Sequence, residues 1–399
     1  MTAVLLQLDE PPRPGAAPRG FALWALGFRP FYLLASGFAA LSILLWSLQF
    51  TGWLPRPYLA GPLWHAHEMV FGFTLAVVVG FLFTAGRNWS GRPTPTGRTL
   101  MALAALWLAG RVLVLSPWGL ASALVNAAFP LAAAAGLAIP FWRSRNQRNY
   151  FFVGLLMLMG LANLILHLSQ LGALDLPGWL GVQLALDVVL FIMTVMGGRV
   201  IPMFTNNGVP NANAKRHPGV EKLALGSVLV LLVADLLPLP AAAMALIAAL
   251  AALANGTRLV LWQPRATLRK PLVWVLHLGY AWIVLHLILR AAAALGWVPA
   301  SMATHALTVG AIGGLVIGMM TRTARGHTAR PLKADGADTS AYLLVACAAL
   351  VRVFLPLAWP AWTLPAIVLS AVFWSAGFGL YALRYWPVLS RPRLDGQPG

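Results

Sequence analysis

Twelve apolar runs, each close to the length that crosses a bilayer, constrain this chain more than any other feature. A transmembrane helix needs about 20 mostly apolar residues. Short segments rich in Arg, Pro, Gly and Asn separate the runs, which cover residues 29–50, 64–85, 98–116, 119–142, 149–170, 179–204, 220–238, 241–262, 271–294, 302–321, 340–358 and 362–386. The pattern predicts an all-α, polytopic membrane bundle of twelve transmembrane helices, with the lipid bilayer as its surroundings.

The composition excludes a soluble protein. Of the 399 residues, 60% are apolar and only 10% are charged, whereas an average soluble domain has about a quarter charged residues. Charged side chains dominate exposed positions, so this chain could not cover a water-facing surface. A single cysteine, Cys347, excludes intramolecular disulfides, Cys-rich zinc sites and the covalent attachment of c-type haem.

Both ends of the chain differ from the apolar middle. Asp9, Glu10 and several prolines interrupt the N-terminal segment, so it does not match a secretory signal. We interpret residues 1–20 as a disordered cytoplasmic tail, residues 21–390 as a single transmembrane domain, and residues 391–399 as a second cytoplasmic tail.

The net charge of +18 has two interpretations. A strongly basic chain is typical of nucleic-acid binding, but Lys and Arg also concentrate in the cytoplasmic loops of membrane proteins. When the bases are placed on the twelve predicted spans, 24 of the 28 fall on one side. We therefore expect both termini to be cytoplasmic and expect no nucleic-acid partner.

The chain also shows a weak internal repeat at a lag near 120 residues. Arg29, Arg148 and Arg269 each begin a group of four spans, and Thr84, Thr205 and Thr321 each end the second span of a group. We predict three pseudo-repeats of four helices, at residues 29–142, 148–262 and 269–386. A twelve-helix chain of this kind resembles the main subunit of haem-copper oxidases.

Ionisable residues within the spans gather in the outer half of the membrane. Burying such groups in hydrocarbon costs several kcal/mol, so they are candidates for function. Five histidines lie in this layer, together with Glu68 and Asp187. Neutral imidazole binds haem iron, copper and zinc. The candidate metal ligands are His65, His67, His286 and His305, followed by His167.

The spacing within this layer limits how the ligands combine. His65 and His67 point about 200° apart on a regular helix, so they should not bind one metal together. They could face two different centres, or one could bind a metal while the other makes a hydrogen bond. His65 and Glu68 share a face, which allows Glu68 to orient an imidazole. We predict that Glu68 and Asp187 orient imidazoles or relay protons. The alternative is a set of polar residues that only hold helices together.

Three arginines, Arg111, Arg290 and Arg352, also lie in the outer half. A guanidinium there needs an anion, and the chain has few acids on that side. Haem propionates are suitable partners because Arg pairs with carboxylates in a bidentate manner. The alternative is that each side chain extends to the outer interface.

The remaining histidines are weaker candidates. We expect His277 to make a hydrogen bond in the core. We expect His217 and His327 to lie in cytoplasmic loops, where they are solvated or stabilise the loop.

Several strings resemble the NnrS family, bacterial twelve-span inner-membrane proteins associated with haem, copper and the response to nitric oxide. They are Gly27–Tyr32 (GFRPFY), Trp64–Met69 (WHAHEM), Phe81–Pro93 (FLFTAGRNWSGRP), Gly197–Pro202 (GGRVIP), Phe204–Asn207 (FTNN) and Gly326–Leu332 (GHTARPL). The resemblance implies haem, with b-type expected, and copper, in a setting of denitrification or nitrosative stress. It implies no ligand assignment. The chain lacks the His-His pair and the His-x-x-x-Tyr segment of the oxidase copper site, so the binuclear oxidase mechanism is not expected.

The leading hypothesis is a haem- and copper-binding inner-membrane protein that protects against nitric oxide, with nitric oxide or a nitrosyl species as ligand and an unidentified electron donor. A redox activity on such a species is compatible with the residues, which leave open whether substrate is turned over. One alternative is a proton-coupled transporter of a small solute that uses the same His, Glu and Asp layer. Another is a non-catalytic sensor or assembly factor for haem or copper.

Overall fold

A computed structural model describes residues 20–50, 52–53 and 58–397. Residues 1–19, and with them nearly all of the predicted N-terminal tail, lie outside the described residues, as do residues 398–399. Within the described part, the chain forms twelve long helices and no strands. They are α1 (Phe28–Phe50), α2 (Gly61–Ser90), α3 (Gly97–Val114), α4 (Gly119–Arg143), α5 (Phe151–Gln170), α6 (Gly178–Gly208), α7 (Pro218–Ala234), α8 (Ala241–Leu261), α9 (Pro271–Ala294), α10 (Ala300–His327), α11 (Gly336–Ala358) and α12 (Thr363–Ser390).

Each predicted span lies on one of these helices, so the predicted all-α membrane bundle is confirmed. In the described residues, eleven of the helices are long and apolar enough to cross a membrane. The other, α7, has 17 residues and is about 26 Å long at 1.5 Å per residue. The chain is therefore a multi-pass membrane protein.

Tryptophans mark the two ends of the bundle. Exposed indoles lie at the helix ends and connections of one side (Trp118, Trp179, Trp297, Trp359 and Trp362) and at the ends of α4 and α12 on the other (Trp142 and Trp386). Trp is enriched at both membrane–water interfaces because its ring is apolar and its N–H is polar. The two groups give the bundle the aromatic belts of a membrane-spanning domain.

The helices pack as a ring in which neighbours along the chain are usually neighbours in space. We call α1–α4, α5–α8 and α9–α12 sets one, two and three. The last helix of each set packs along the first helix of the next: α4 on α5, α8 on α9, and α12 on α1. The three joins are alike, which supports the predicted threefold repeat; the repeat boundaries stay a prediction.

The most buried helices are α2 and α6. In each of them 78% of an apolar stretch of 18 residues is buried inside the protein, compared with 67% in α9 and 61% in α10. The second helix of every set thus belongs to the interior. Two of these helices, α2 and α10, contain a π-helical segment, at Glu68–Thr74 and Ala306–Ile312. Such widened turns inside an α-helix occur frequently at functional sites.

The connections from α2 to α3, α4 to α5, α6 to α7, α8 to α9 and α10 to α11 lie at one end of the bundle, which we call the basic side. Backbone hydrogen bonds join segments there, from Gly97 N to Trp24 O (2.8 Å) and from Lys215 N to Leu261 O (2.9 Å). Which side faces the cytoplasm stays a prediction from the charge pattern.

The prediction that His327 lies in a loop is wrong. The tenth span was expected to end near residue 321, but α10 continues to His327, its last residue. The polar segment Arg322–His327 has no apolar signal, yet its helix is held by packing against the ends of other helices. The His327 ring lies 5.6 Å from the ring of Phe28, which is fully buried at the start of α1.

Candidate functional site

The first polar cluster lies in set one, where the π segment of α2 begins. Glu68 Oε1 accepts hydrogen bonds from His67 Nδ1 and from Arg111 Nη1, both at 2.7 Å. Arg111 also donates to Asn126 Oδ1, and Asn126 Nδ2 donates to Ser122 O at 2.9 Å. The Glu68 side chain is only 1% exposed. The Arg111 charge is thus balanced inside the protein.

The prediction that Glu68 shares a face with His65 is corrected by this geometry. Glu68 hydrogen-bonds the ring of His67, its immediate neighbour. The regular helix ends at His67, and the π segment that starts at Glu68 changes the direction in which the carboxylate points. Glu68 therefore contacts an imidazole, as a ligand-orienting carboxylate would, but a different one.

A second histidine completes this cluster from α5. His167 Nε2 lies 3.1 Å from His67 Nε2, and both rings are fully buried. His167 Nδ1 lies 3.3 Å from the hydroxyl of Tyr58, a residue of the connection before α2. The carboxylate accepts, so His67 Nδ1 carries hydrogen and His67 Nε2 presents a lone pair to His167. His167, ranked last among the candidate ligands, is the one that contacts another candidate ring.

The second cluster joins set two to set three. Arg290, in α9, donates from Nη1 to Asp187 Oδ1 at 3.3 Å and from Nη2 to Asp235 Oδ1. Gln183 Nε2 donates to the same oxygen of Asp187 at 3.0 Å. The side chains of Asp187 and Arg290 are 3% and 14% exposed. Asp187 therefore pairs with a guanidinium here, and its predicted role beside an imidazole stays a prediction.

The third cluster lies at the start of the second helices of sets one and three. The His65 ring stacks on Trp46 of α1, with centroids 5.2 Å apart. His305 Nδ1 donates to Ser301 O at 2.6 Å. Arg352 lies in α11, against which the segment Ala300–His305 packs. Its buried Nη1 has no hydrogen-bond partner among the described residues.

His65 and His67 thus belong to different clusters, in line with their predicted separation around the helix. His286 is apart from both. Its Nδ1 donates to Ala303 O at 2.8 Å, and its buried Nε2 has no hydrogen-bond partner in the described part of the chain.

Among the described residues, no group of three or more His, Cys, Asp or Glu side chains is arranged to hold one metal ion. The ligand assignments from the sequence therefore stay predictions. Arg111 and Arg290 have acidic partners within the protein. The lack of nearby acids was the reason to pair these two arginines with haem propionates, and that reason no longer holds for them.

A model of the NnrS family, described as NnrS protein, matches residues 22–393. The chain belongs to the NnrS family. No curated protein matches the chain.

Four of the six strings that resemble the NnrS family come together in two places on the basic side. Phe28 N donates to Thr84 Oγ1 at 3.1 Å, and the Phe28 ring contacts His327, so three of the six strings meet there. Arg199 lies 5.6 Å from the Trp89 ring and so joins the Gly197–Pro202 string to the Phe81–Pro93 string. Sequence reasoning assigned His327 no metal-binding role, although it lies in a string that resembles the NnrS family. The structure shows that His327 packs where such strings from α1, α2 and α10 meet.

Sequence reasoning missed two buried networks on the basic side, because it treated their arginines as orienting charges. Arg258 donates to Glu221 Oε2 at 2.6 Å and to the Tyr280 hydroxyl at 2.8 Å. Arg325 donates to Asp338 Oδ2 at 2.6 Å. The positions of the two arginines could have indicated these networks, since Arg258 is at the end of a span and Arg325 is at the end of a helix.

His277 makes the contact that the sequence predicted, whereas Asn126 is a buried residue that the sequence could have indicated. His277 Nε2 lies 2.8 Å from Thr205 Oγ1, so the predicted core hydrogen bond is present. Asn126 was not singled out, although an amide within an apolar run is itself a signal of a buried partner.

Proposed function

We propose that this NnrS-family membrane protein binds haem and copper and acts in the response to nitric oxide. The observation that carries the proposal is the pair of buried imidazoles, His67 and His167, whose Nε2 atoms face each other at 3.1 Å. Family membership supports a membrane protein of the nitric oxide response; the cofactors and their ligands are the proposed part.

His67 and His167 fit copper by their chemistry. Imidazole nitrogen suits copper, and a metal-binding histidine usually donates its other ring N–H to a carboxylate or carbonyl. Glu68 fills that role for His67 at 2.7 Å. Copper held there would supply a redox-active centre able to bind nitric oxide.

His286 and His305 fit haem iron by the same test. Each donates Nδ1–H to a backbone carbonyl, Ala303 O or Ser301 O, which leaves Nε2 as the free lone pair. The Nε2 of His286 is buried and without a partner among the described residues. Ferrous haem bound there would supply a site for nitric oxide, with His65 and Arg352 on the same side of the membrane.

Residues of sets one and two also form a path for a proton. Hydrogen-bonded groups run from Glu68 through His67 and His167 to the hydroxyl of Tyr58. Glu68 holds a proton of His67, and each imidazole can accept on one nitrogen and release from the other. The path leads from the Arg111 ion pair towards the connection between α1 and α2.

The test is the reduced-minus-oxidised optical spectrum of the purified protein, with copper and haem measured per chain. We expect a Soret band and bound copper. His67→Ala and His167→Ala should lose copper and keep haem, whereas His286→Ala should lower the haem content.

His277→Ala is the matched control, because His277 is a buried histidine of α9 outside the proposed sites. It should keep both cofactors. Absence of both haem and copper from the wild-type protein would overturn the proposal and favour the proton-coupled transporter. Retention of copper by both His67→Ala and His167→Ala would refute the ligand assignment.

A further inference from the structure

The outer clusters of sets one and three occupy the same place in their repeats. The π segments Glu68–Thr74 and Ala306–Ile312 have equal length and each directly follows a histidine, His67 or His305. Their first residues are 238 positions apart, as are the two histidines.

The resemblance extends to the packing. The fifth residue of each π segment is a glycine, Gly72 or Gly310, and each lies against an aromatic ring from the first helix of its set. A Cβ atom at Gly72 would lie 2.6 Å from Phe38 and 2.5 Å from Arg111 Nη1, and one at Gly310 would collide with Trp282. The two π segments therefore share their packing as well as their length and position.

One charge differs between them. Set one has Glu68 at the start of its π segment, and its carboxylate binds Arg111 of the third helix. Set three also has an arginine on its third helix, Arg352, but Ala306 stands where Glu68 would be. In the described residues no acid lies within ion-pair distance of Arg352, and its buried Nη1 has no hydrogen-bond partner.

The histidines near Arg352 do not supply an anion. The segment Ala300–His305 packs against α11, the helix that carries Arg352. His305 is tied through Nδ1 to Ser301 O, and the His65 ring is fixed on Trp46. A guanidinium in a low-dielectric region is poorly satisfied without a counter-charge.

We propose that Arg352, beside the start of α10, forms a binding site for a planar oxyanion with two oxygens, a carboxylate or nitrite. The ligand takes the place that the Glu68 carboxylate has in set one. A haem propionate or a free small anion has this chemistry. The site does not depend on the proposed haem and copper function, because Arg352 lacks an acid whether or not a cofactor is bound.

The first experiment measures binding of sodium formate and of sodium nitrite to the purified protein by calorimetry, with chloride keeping the ionic strength constant. Arg352→Gln should weaken binding by at least about tenfold, the effect of losing one charge-assisted hydrogen bond. Arg143→Gln, an exposed arginine on the basic side, is the control and should bind as wild type does.

Two arms separate the sources of the anion. If a haem propionate fills the site, haem-loaded protein should not bind formate, and Arg352→Gln should retain less haem per chain. If the anion is free, loaded protein should bind formate. The proposal is overturned if formate and nitrite bind wild type and Arg352→Gln equally, or do not bind at all, while the haem content is unchanged.

Removing the acid from set one and adding an acid to set three gives an independent test. Glu68→Ala gives set one the arrangement of set three, so added formate should raise its thermal midpoint more than that of wild type. Ala306→Glu supplies the missing carboxylate and should abolish formate binding at Arg352. If Ala306→Glu does not fold, the stabilisation of Glu68→Ala by formate decides the test. A thermal midpoint of Glu68→Ala that formate raises no more than that of wild type would contradict the proposed equivalence.

Discussion

Arg111 of set one and Arg352 of set three lie on corresponding helices of the same bundle, yet only Arg111 has an acid beside it. Glu68 binds Arg111 at 2.7 Å, whereas Arg352 has no ion pair within the described residues. The same helix framework thus holds a closed ion pair in one set and an open cationic site in another. A shared fold position does not imply a shared electrostatic state.

The most severe test of this comparison is Arg111→Gln. It leaves Glu68 buried without a counter-charge, so the free energy of unfolding should fall by about 3–5 kcal/mol. Thermal unfolding in detergent measures the loss. The double variant Arg111→Gln with Glu68→Gln should recover a substantial part, because no unpaired charge remains; equal stability of the single and double variants would contradict the ion-pair explanation.

Arg290→Gln should have the next largest effect. It leaves Asp187 and Asp235 close together without the cation that holds them, in a site that is slightly more exposed. We expect a loss of about 2–3 kcal/mol, below that of a fully buried pair. Adding Asp187→Asn should restore part of the thermal midpoint, and a neutral outcome for Arg290→Gln would show that the acids find other partners.

A matched pair of glycine variants tests whether the two π segments are equivalent. Gly72→Ala and Gly310→Ala each place a methyl group against a ring, Phe38 or Trp282, and the methyl group at Gly72 also meets the Arg111 guanidinium. Each should cost about 1–3 kcal/mol, the usual penalty for overpacking. Thermal midpoints measured side by side report the difference, and a large penalty at one position with none at the other would break the repeat at this point.

The smallest effect is expected for Arg352→Gln in protein without anion. It removes a charge that has no acidic partner among the described residues, so stability should change by less than about 1 kcal/mol. The same thermal measurement that finds a large loss in Arg111→Gln serves as its reference. A loss as large as that of Arg111→Gln would mean that Arg352 already has a structural anion within the chain.

The twelve helices were predictable from the sequence because the length of an apolar run determines whether it spans a bilayer. The gathering of His67, His167 and Glu68 into one layer was also predictable, since helix direction alternates along the chain. Which groups touch was not predictable. Arg290 of set three finds Asp187 and Asp235 of set two, and this depends on which helices are neighbours.

Local irregularity explains the other differences. A regular helix puts Glu68 on the face of His65, but the π segment moves it to His67. The helical end of α10 up to His327 depends on contacts with α1, and those contacts have no signal in a polar string of residues. The fold followed from periodicity, whereas the site depended on packing between distant parts of the chain.

The join between α12 and α1 has a consequence for how the chain can be rearranged. Ala22 N donates to Ser390 O at 2.8 Å, and Arg29 Nη1 donates to Leu389 O at 2.9 Å, so the polypeptide enters the bundle beside the point where it leaves. The joins α4 on α5 and α8 on α9 repeat this packing. A circular permutant that links residues 22 and 390 and opens the chain between α4 and α5 would keep an even number of helices on each side of the cut. It should therefore insert with the same sidedness and reach the same bundle.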